Sequence, residues 1–259
     1  PPFYLYKERD STQRIYNLTG IEADSTLIVM GKEYGAGWGW FNQDIAYYGV
    51  VGGIGLVTHE LGHSMVGLRD EYWTWITSTN GVPNMAKTHE EAAEKWGYWY
   101  GYTDPDTGYA VGVDDGNGGW LAFHPEGRDY LRAGDYETLM QHAGKAHYFD
   151  AIAREQLIYD FYRHTQPLDD YTDNSETLTN PIELAVTPFD TELFDLTWSV
   201  GNTVAATGTS FAVADDVEAG SHTVSLTATD KTLNLDFADD DRGGWVRRDP
   251  NGHLSQTVT

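Results

Sequence analysis

Cysteine is absent from the 259-residue chain. This absence excludes a disulfide framework, a thiol nucleophile and a zinc site with cysteine ligands. Any metal ion in this protein must therefore be held by histidine, aspartate or glutamate.

Basic residues are scarce. The chain has 16 Lys and Arg against 40 Asp and Glu, a formal net charge of −24. Nucleic-acid phosphates and anionic membrane surfaces would repel such a chain, so both classes of partner are excluded. Strong acidity keeps a protein soluble and is typical of secreted proteins or proteins from salty surroundings.

Long hydrophobic runs are also missing. No apolar stretch approaches the roughly 18 residues that a membrane-spanning helix needs. The chain begins with Pro-Pro, and no charged region followed by an apolar region marks a signal peptide. We interpret it as a mature or trimmed fragment and expect a secreted, cell-surface or periplasmic protein.

The composition changes near residue 170. Trp, Tyr, Gly and His are frequent before this point, whereas Thr, Val, Leu and Asp dominate after it. The polar, turn-forming stretch 166–181 suits a linker. We therefore predict two domains, at residues 1–170 and 178–259.

Periodicity in the first domain predicts mixed α and β structure. The expected elements are strands at 25–30 and 45–51, helices at about 53–66, 90–96 and 145–163, and a long loop at 103–125. The apolar residues expected to face inward from the first and last helices are Ile54, Val57, Leu61, Met65, Phe149, Ile152, Leu157 and Phe161.

Short alternating runs follow the linker, separated by turn residues. They lie at 182–186, 194–200, 223–229, 233–237 and 254–258. This pattern predicts a small β-sandwich of roughly immunoglobulin-like kind. The fold class expected for the chain is therefore α+β.

The segment HELGHSMVGLRDEY at 59–72 carries the chemistry. His59 and His63 are one helical turn apart, so both imidazoles project from one face and can bind one zinc ion. Glu60 lies beside them, where it can take a proton from a metal-activated water. The sequence therefore predicts a catalytic zinc site.

Asp70 is the expected third ligand, because catalytic zinc keeps three protein ligands and one open position. Metzincin peptidases place this ligand three residues after a glycine, as Asp70 follows Gly67 here. Gly67 lies one residue further from the second histidine than in that pattern. It can adopt a positive φ, reverse the chain and bring Asp70 to the metal.

Met140 lies in a turn-like stretch at 137–144, between the zinc motif and the last helix. Metzincins place a methionine in a tight turn beneath the metal. We therefore predict that Met140 forms such a Met-turn and provides an apolar floor for the two histidines.

The segment 59–72 resembles the signature of the IgA-peptidase family of bacterial zinc metallopeptidases, H-E-x-G-H-x-x-x-G-L-x-D-E-Y. Three further segments are similar to that family more loosely: MGKEYGAGWGW, PNMAKTHEEAAEKWGYW and YLRAGDYETLMQHAGKAHYFDAIAREQL. The acidic C-terminal module is similar as well. The resemblance implies a metzincin-like domain, His59, His63 and Asp70 as zinc ligands, Glu60 as catalytic base, and a protein or glycoprotein substrate.

Other groups carry weaker expectations. His142, two residues after Met140, is a candidate donor to the oxyanion of the reaction, with Tyr130 and Tyr136 as rivals. Glu71 and Tyr72 are expected to support the ligand or to pack beside it. The acidic turns at 104–108 and 114–119 are candidate structural calcium loops.

Two alternatives stay open. In a gluzincin-type metallopeptidase, Glu91 or Glu94 would replace Asp70 as the third ligand. In a non-catalytic adhesin or glycan-binding module, the metal site would be vestigial and exposed aromatics would stack on sugars. The candidates for that stacking are Trp96, Trp99, Tyr100 and Tyr102. Oligomeric state is left open by the sequence.

Overall fold

The computed structural model describes most of the chain after residue 25. The described residues are 26–30, 37–40, 45–49, 53–105, 107–144, 146, 148–179, 182–213, 220–233, 245–249 and 251–259. They combine helices with mainly antiparallel sheets, so the α+β class is confirmed. Contacts divide the chain into two compact units, Pro1–Leu157 and Ile158–Thr259.

The first unit opens with a three-stranded sheet. Its strands are β1 (Thr26–Met30), β2 (Gly37–Trp40) and β3 (Ile45–Gly49). β1 runs parallel to β3, and β2 runs antiparallel to it in the order β1-β3-β2. β2 therefore forms one edge of the described sheet.

Helix α1 (Gly53–Val66) follows the sheet and contacts β2 and β3. The prediction that Ile54 faces inward is wrong, because its side chain at the start of α1 is 78% exposed. Val57 is buried, but His59 and His63 are buried too. Both sides of the helix are covered because β2 packs on the side that carries the histidines.

Helix α2 (His89–Trp96) and a 3₁₀ turn (Gly97–Trp99) come next. The Thr88 hydroxyl caps the start of α2 by accepting a hydrogen bond from the Glu91 N–H at 3.2 Å. Trp96 and Trp99 are fully buried in a core with Ile152. The expectation that these two tryptophans are exposed is therefore wrong, and Tyr100 and Tyr102 pack against the same core.

The predicted loop at 103–125 contains a small hairpin, formed by β4 (Val113–Asp114) and β5 (Trp120–Leu121). Helix α3 (Ala151–His164) begins later than expected. Phe149 and Ile152 are buried as predicted, whereas Phe161 is 56% exposed and the prediction for it is wrong. The division between the two units falls inside α3.

The second unit contains two antiparallel sheets, ordered β10-β7-β6 and β12-β11-β8-β9. Its strands are β6 (Leu168–Tyr171), β7 (Glu183–Pro188), β8 (Phe194–Val200), β9 (Thr203–Thr207), β10 (Ser210–Ala212), β11 (Val224–Asp230) and β12 (Ser255–Val258). Trp198 of β8 stacks on Phe211 of β10, and both sheets contribute to one core.

Strand β6 lies within the stretch predicted as a linker, so that prediction is wrong for this part. Leu168 of β6 is buried and its other three residues are exposed, and the strand pairs with β7 instead of forming a free connection. Most of the run predicted as a strand at 233–237 lies outside the described residues. No helix in the described part of the chain is long and apolar enough to cross a membrane.

Candidate metal centre

Three side chains from α1 and the turn after it converge on one point. The Nε2 atoms of His59 and His63 lie 3.2 Å apart. Oδ1 of Asp70 lies 3.0 Å from Nε2 of His59 and 3.1 Å from Nε2 of His63. In the described part of the chain, this is the one group of three or more candidate ligands that could hold a metal ion.

The turn after α1 brings Asp70 to the histidines. Gly67 has a φ of 70°, as expected, and its N–H donates to the His63 carbonyl at 3.2 Å. The Leu68 N–H donates to the Gly62 carbonyl at 3.0 Å, and the Leu68 side chain is fully buried. A helix that ended without a residue at positive φ could not reverse so tightly.

Backbone carbonyls fix which nitrogen of each histidine carries the proton. Nδ1 of His59 lies 2.9 Å from the Leu139 oxygen, and Nδ1 of His63 lies 2.5 Å from the Leu68 oxygen. Because a carbonyl oxygen only accepts, Nδ1 is the donor in both rings. The Nε2 lone pairs of the neutral rings therefore face Asp70 and each other, which is the arrangement that a metal ligand requires.

The spacing of the three atoms fits zinc. Tetrahedral zinc with bonds of about 2.0–2.1 Å places its ligand atoms about 3.3 Å apart. Without a cation or a shared proton, three lone pairs would meet at 3.0–3.2 Å with no hydrogen between them. The donor set is two imidazoles and one carboxylate, which are ligands that zinc prefers.

The two histidines and the aspartate also perturb one another's ionisation. Burial acts to raise the pKa of Asp70, but the close contacts of its carboxylate with the rings of His59 and His63 lower it well below its usual range. Burial acts to lower the pKa of His59, but its contacts with Asp70 and the Leu139 carbonyl raise it overall. Asp70 therefore carries its negative charge in the site.

Glu60 is buried beside the three ligands and lines the same cleft. Burial raises its pKa to about 7, against the opposing influence of His63 and His59. A carboxylate with a pKa near neutrality is suited to accept a proton and release it again.

Two glycines let the edge strand β2 approach this carboxylate. A Cβ at Gly37 would lie 2.3 Å from Oε1 of Glu60. A Cβ at Gly39 would lie 2.2 Å from the Glu60 backbone oxygen and 2.5 Å from Cβ of His63. Sequence reasoning did not identify these two glycines as part of the site, although alternate glycines in a strand are a known signal of close backbone approach.

Asn84 holds the segment that carries Asp70 through hydrogen bonds to the residues on either side of it. Its Oδ1 accepts from the Arg69 N–H at 2.9 Å, and its Nδ2 donates to the Arg69 carbonyl and to Oε1 of Glu71, both at 2.8 Å. The expected supporting role of Glu71 agrees with this geometry. Sequence reasoning missed Asn84, because nothing in a single sequence joins it to residues 15 positions earlier.

The turn at Met140 packs against the histidine helix. Met140 is 1% exposed, and a Cβ at Gly62 would lie 3.0 Å from its Sδ. The Leu139 carbonyl supports His59, and the Met140 carbonyl accepts from the Glu71 N–H at 3.0 Å. This placement agrees with an apolar Met-turn under the helix.

His142 is not among the residues that line the cleft. It is partly exposed, with Nε2 lying 3.5 Å from Oε1 of Glu137. Tyr130 is buried and donates to the Glu71 carbonyl at 2.6 Å, and Tyr136 is buried with its hydroxyl 3.3 Å from Asp150. The structure therefore brings none of the three predicted oxyanion donors to the cleft.

Tyr72 lies in the cleft instead. Its ring stacks on His59 with centroids 6.4 Å apart and an interplanar angle of 18°. Burial and the nearby carboxylate of Asp70, to which the hydroxyl is hydrogen-bonded, raise its pKa above the ordinary value. The phenol therefore stays protonated at neutral pH.

The alternative third ligands lie elsewhere. Glu91 pairs with Lys95 at 2.7 Å, Glu94 is exposed, and neither lines the cleft. The acidic turns are also satisfied by the protein: Asp104 pairs with Arg154, and Asp115 accepts from two N–H groups of its own turn. Calcium binding there stays a prediction.

No family model, curated protein or solved structure significantly matches this chain. The function of the chain is therefore inferred from its residues and their geometry.

Proposed function

We propose that this protein is a secreted zinc-dependent metalloendopeptidase, with His59, His63 and Asp70 as the zinc ligands. The observation that carries the proposal is the convergence of three metal-ligating atoms within 3.2 Å of one another. A buried glutamate beside them supports a catalytic rather than a structural ion, because a structural zinc has no use for a base.

Bound zinc supplies Lewis-acid activation of water and of the peptide carbonyl. Glu60 accepts the proton of the attacking water and passes it to the leaving amine. The backbone of β2, held close by Gly37 and Gly39, offers an edge along which an extended peptide can pair. The hydroxyl of Tyr72 faces the same space.

The resemblance of segment 59–72 supports the same proposal at the level of family: an IgA-peptidase-like metallopeptidase with a metzincin-like domain and an immunoglobulin-like C-terminal sandwich. Its substrates would be proteins or glycoproteins. The gluzincin alternative is less favoured, because Glu91 and Glu94 lie away from the histidines. The glycan-binding alternative loses its main support, because Trp96 and Trp99 are buried.

Metal analysis and peptide digestion test the proposal together. We expect one zinc per chain in the wild type and its loss in His63→Ala and Asp70→Ala. Glu60→Ala should keep zinc but lose about 10²–10⁴-fold or more in cleavage of a responsive peptide. Glu94→Ala is the matched control, because it removes an exposed carboxylate and tests the alternative ligand.

Full zinc content in Asp70→Ala would reject the ligand assignment. Near wild-type cleavage by Glu60→Ala would reject the mechanism. Loss of zinc in Glu94→Ala, with zinc retained in Asp70→Ala, would favour the gluzincin alternative.

A further inference from the structure

Three exposed aromatic side chains lie directly after the candidate ligand Asp70. Tyr72, Trp73 and Trp75 are 45%, 55% and 62% exposed, and we call them the aromatic ridge. All three line the cleft that contains His59 and Glu60. Adjacent exposed rings of this size are costly in water, which points to a surface that binds another apolar group.

The ridge is held in place by its neighbours. Arg128 donates to the Tyr72 carbonyl, and Oδ1 of Asp129 accepts from the Ile76 N–H at 2.9 Å. Lys87 donates to the Ile76 carbonyl at 2.6 Å and pairs with Oδ2 of Asp129 at 2.8 Å. The rings are thus presented by a fixed backbone, which lowers the entropy lost when a ligand binds.

The ridge is continuous with the metal centre. The Trp73 indole N–H donates to Oδ2 of Asp70 at 3.1 Å, and the Tyr72 ring stacks on His59. A group bound on the ridge would therefore lie beside the bond that is cleaved.

The composition of the ridge segment favours an apolar ligand. Residues 72–79 read YWTWITST and contain no Asp, Glu, Asn, Gln or His, in a chain with 40 acidic residues. Sugar rings stack on aromatics too, but their hydroxyls also need polar partners, and the carboxylates nearest the ridge are already engaged: Asp70 by the two histidines and Asp129 by Lys87. An apolar side chain needs only the contact surface.

We propose that the aromatic ridge binds a bulky aromatic or branched aliphatic side chain that flanks the scissile bond of a peptide substrate. This inference rests on the proposed peptidase function. Tyr72, Trp73 and Trp75 are then the residues that determine the specificity of the cleft.

Matched peptides can test the ridge separately from catalysis. Four peptides would differ at one position only, carrying Phe, Leu, Gly or a serine bearing a single sugar; scanning this position along the peptide covers both sides of the bond. Binding is measured by fluorescence anisotropy on zinc-loaded Glu60→Ala, and cleavage is measured on the wild type. At the best position we expect Phe or Leu to exceed Gly by about tenfold or more in both assays.

Trp75→Ala should bring the Phe-to-Gly ratio to within about twofold while the zinc content stays unchanged. Trp75 is chosen because Trp73 also supports Asp70. Trp120→Ala, a similarly exposed tryptophan outside the cleft, should keep the full ratio.

A preference for the sugar-bearing peptide, or a Phe-to-Gly ratio unaffected by Trp75→Ala, would overturn the inference. Selective binding to Glu60→Ala without any cleavage by the wild type would keep the ridge but reject the proposed function. Cleavage of all four peptides at equal rates would keep the function and reject the ridge.

Discussion

Asp70 and Glu71 are neighbours in the chain but belong to two different buried clusters. The Asp70 carboxylate meets two histidine nitrogens whose protons are directed elsewhere. The Glu71 carboxylate accepts from Asn84 at 2.8 Å and from Thr138 at 2.7 Å, and Arg132 lies 3.6 Å away.

The two clusters differ in whether hydrogen-bond donors face the carboxylate oxygens. Around Glu71, both carboxylate oxygens have donors within the protein, so this cluster stabilises the fold without an added ion. Oδ2 of Asp70 accepts from the Trp73 indole N–H, but Oδ1 faces the two histidine Nε2 atoms with no donor between them, so this cluster gains most from an added cation. Burial alone would not separate these roles, because both carboxylates are largely removed from water.

The largest effect on the free energy of unfolding is expected when Glu71 and Asp70 are each replaced by alanine in the metal-free protein. Glu71→Ala should lower the free energy of unfolding by about 3–5 kcal/mol, because Arg132, Asn84 and Thr138 lose their acceptor. Asp70→Ala should cost less, because the Asp70 side chain is partly exposed and its donors Tyr72 and Trp73 can turn to water. Urea unfolding in the presence of a chelator measures both values.

Glu71→Gln is the control for this comparison. It keeps an oxygen that accepts from Asn84 or Thr138, so its cost should lie between those of the wild type and Glu71→Ala. An Asp70→Ala cost as large as that of Glu71→Ala would show that the Asp70 cluster is also a structural one.

A smaller effect on stability is expected from substituting the two glycines of β2. Their nearest neighbours are Glu60 and His63 of the metal centre, and Glu71 is not among them. Gly39→Ala should cost about 1–3 kcal/mol, because its Cβ meets the backbone oxygen of Glu60 and the Cβ of His63. Gly37→Ala should cost less stability, because the three atoms nearest to its Cβ all belong to the Glu60 side chain, which can change rotamer, and none to the backbone. Gly37→Ala should instead lower the rate of peptide cleavage by displacing the Glu60 carboxylate, while the zinc content stays unchanged.

Urea unfolding and zinc competition with a coloured chelator separate the two variants. Gly144→Ala is a useful control, since no heavy atom lies within 4 Å of a Cβ at that position. Equal stability of Gly39→Ala and the wild type would mean that β2 does not press on the histidine helix.

Much of the candidate site follows from local sequence. His59, His63, Gly67 and Asp70 lie within one helix and the turn after it, so their spacing determines their relative positions. Residues that support them from a distance do not follow in this way. Asn84 and the Leu139 carbonyl reach the site only through tertiary packing, and β2 reaches it through strand pairing.

The predicted burial of the helices is less accurate for a related reason. Ile54 and Phe161 belong to regular apolar patterns, yet both are exposed. Trp96 and Trp99 follow a polar segment, yet both are fully buried around Ile152. Periodicity identifies a face of a helix, but the partner that covers the face comes from the rest of the chain.

The smallest effect is expected from a volume-conserving change at Met140, whose turn supplies backbone oxygens to both clusters. Met140→Leu conserves volume and should cost less than about 1.5 kcal/mol, with activity largely kept. Both clusters use backbone oxygens of this turn, at Leu139 and Met140, and the substitution leaves them in place. Met140→Lys should impair folding or zinc retention, because it buries a charge against Gly62. Zinc content, urea unfolding and peptide cleavage would be measured on both variants. A tenfold loss of zinc affinity in Met140→Leu at wild-type stability would mean that the thioether itself tunes the metal centre, and not only the shape of the floor beneath the histidines.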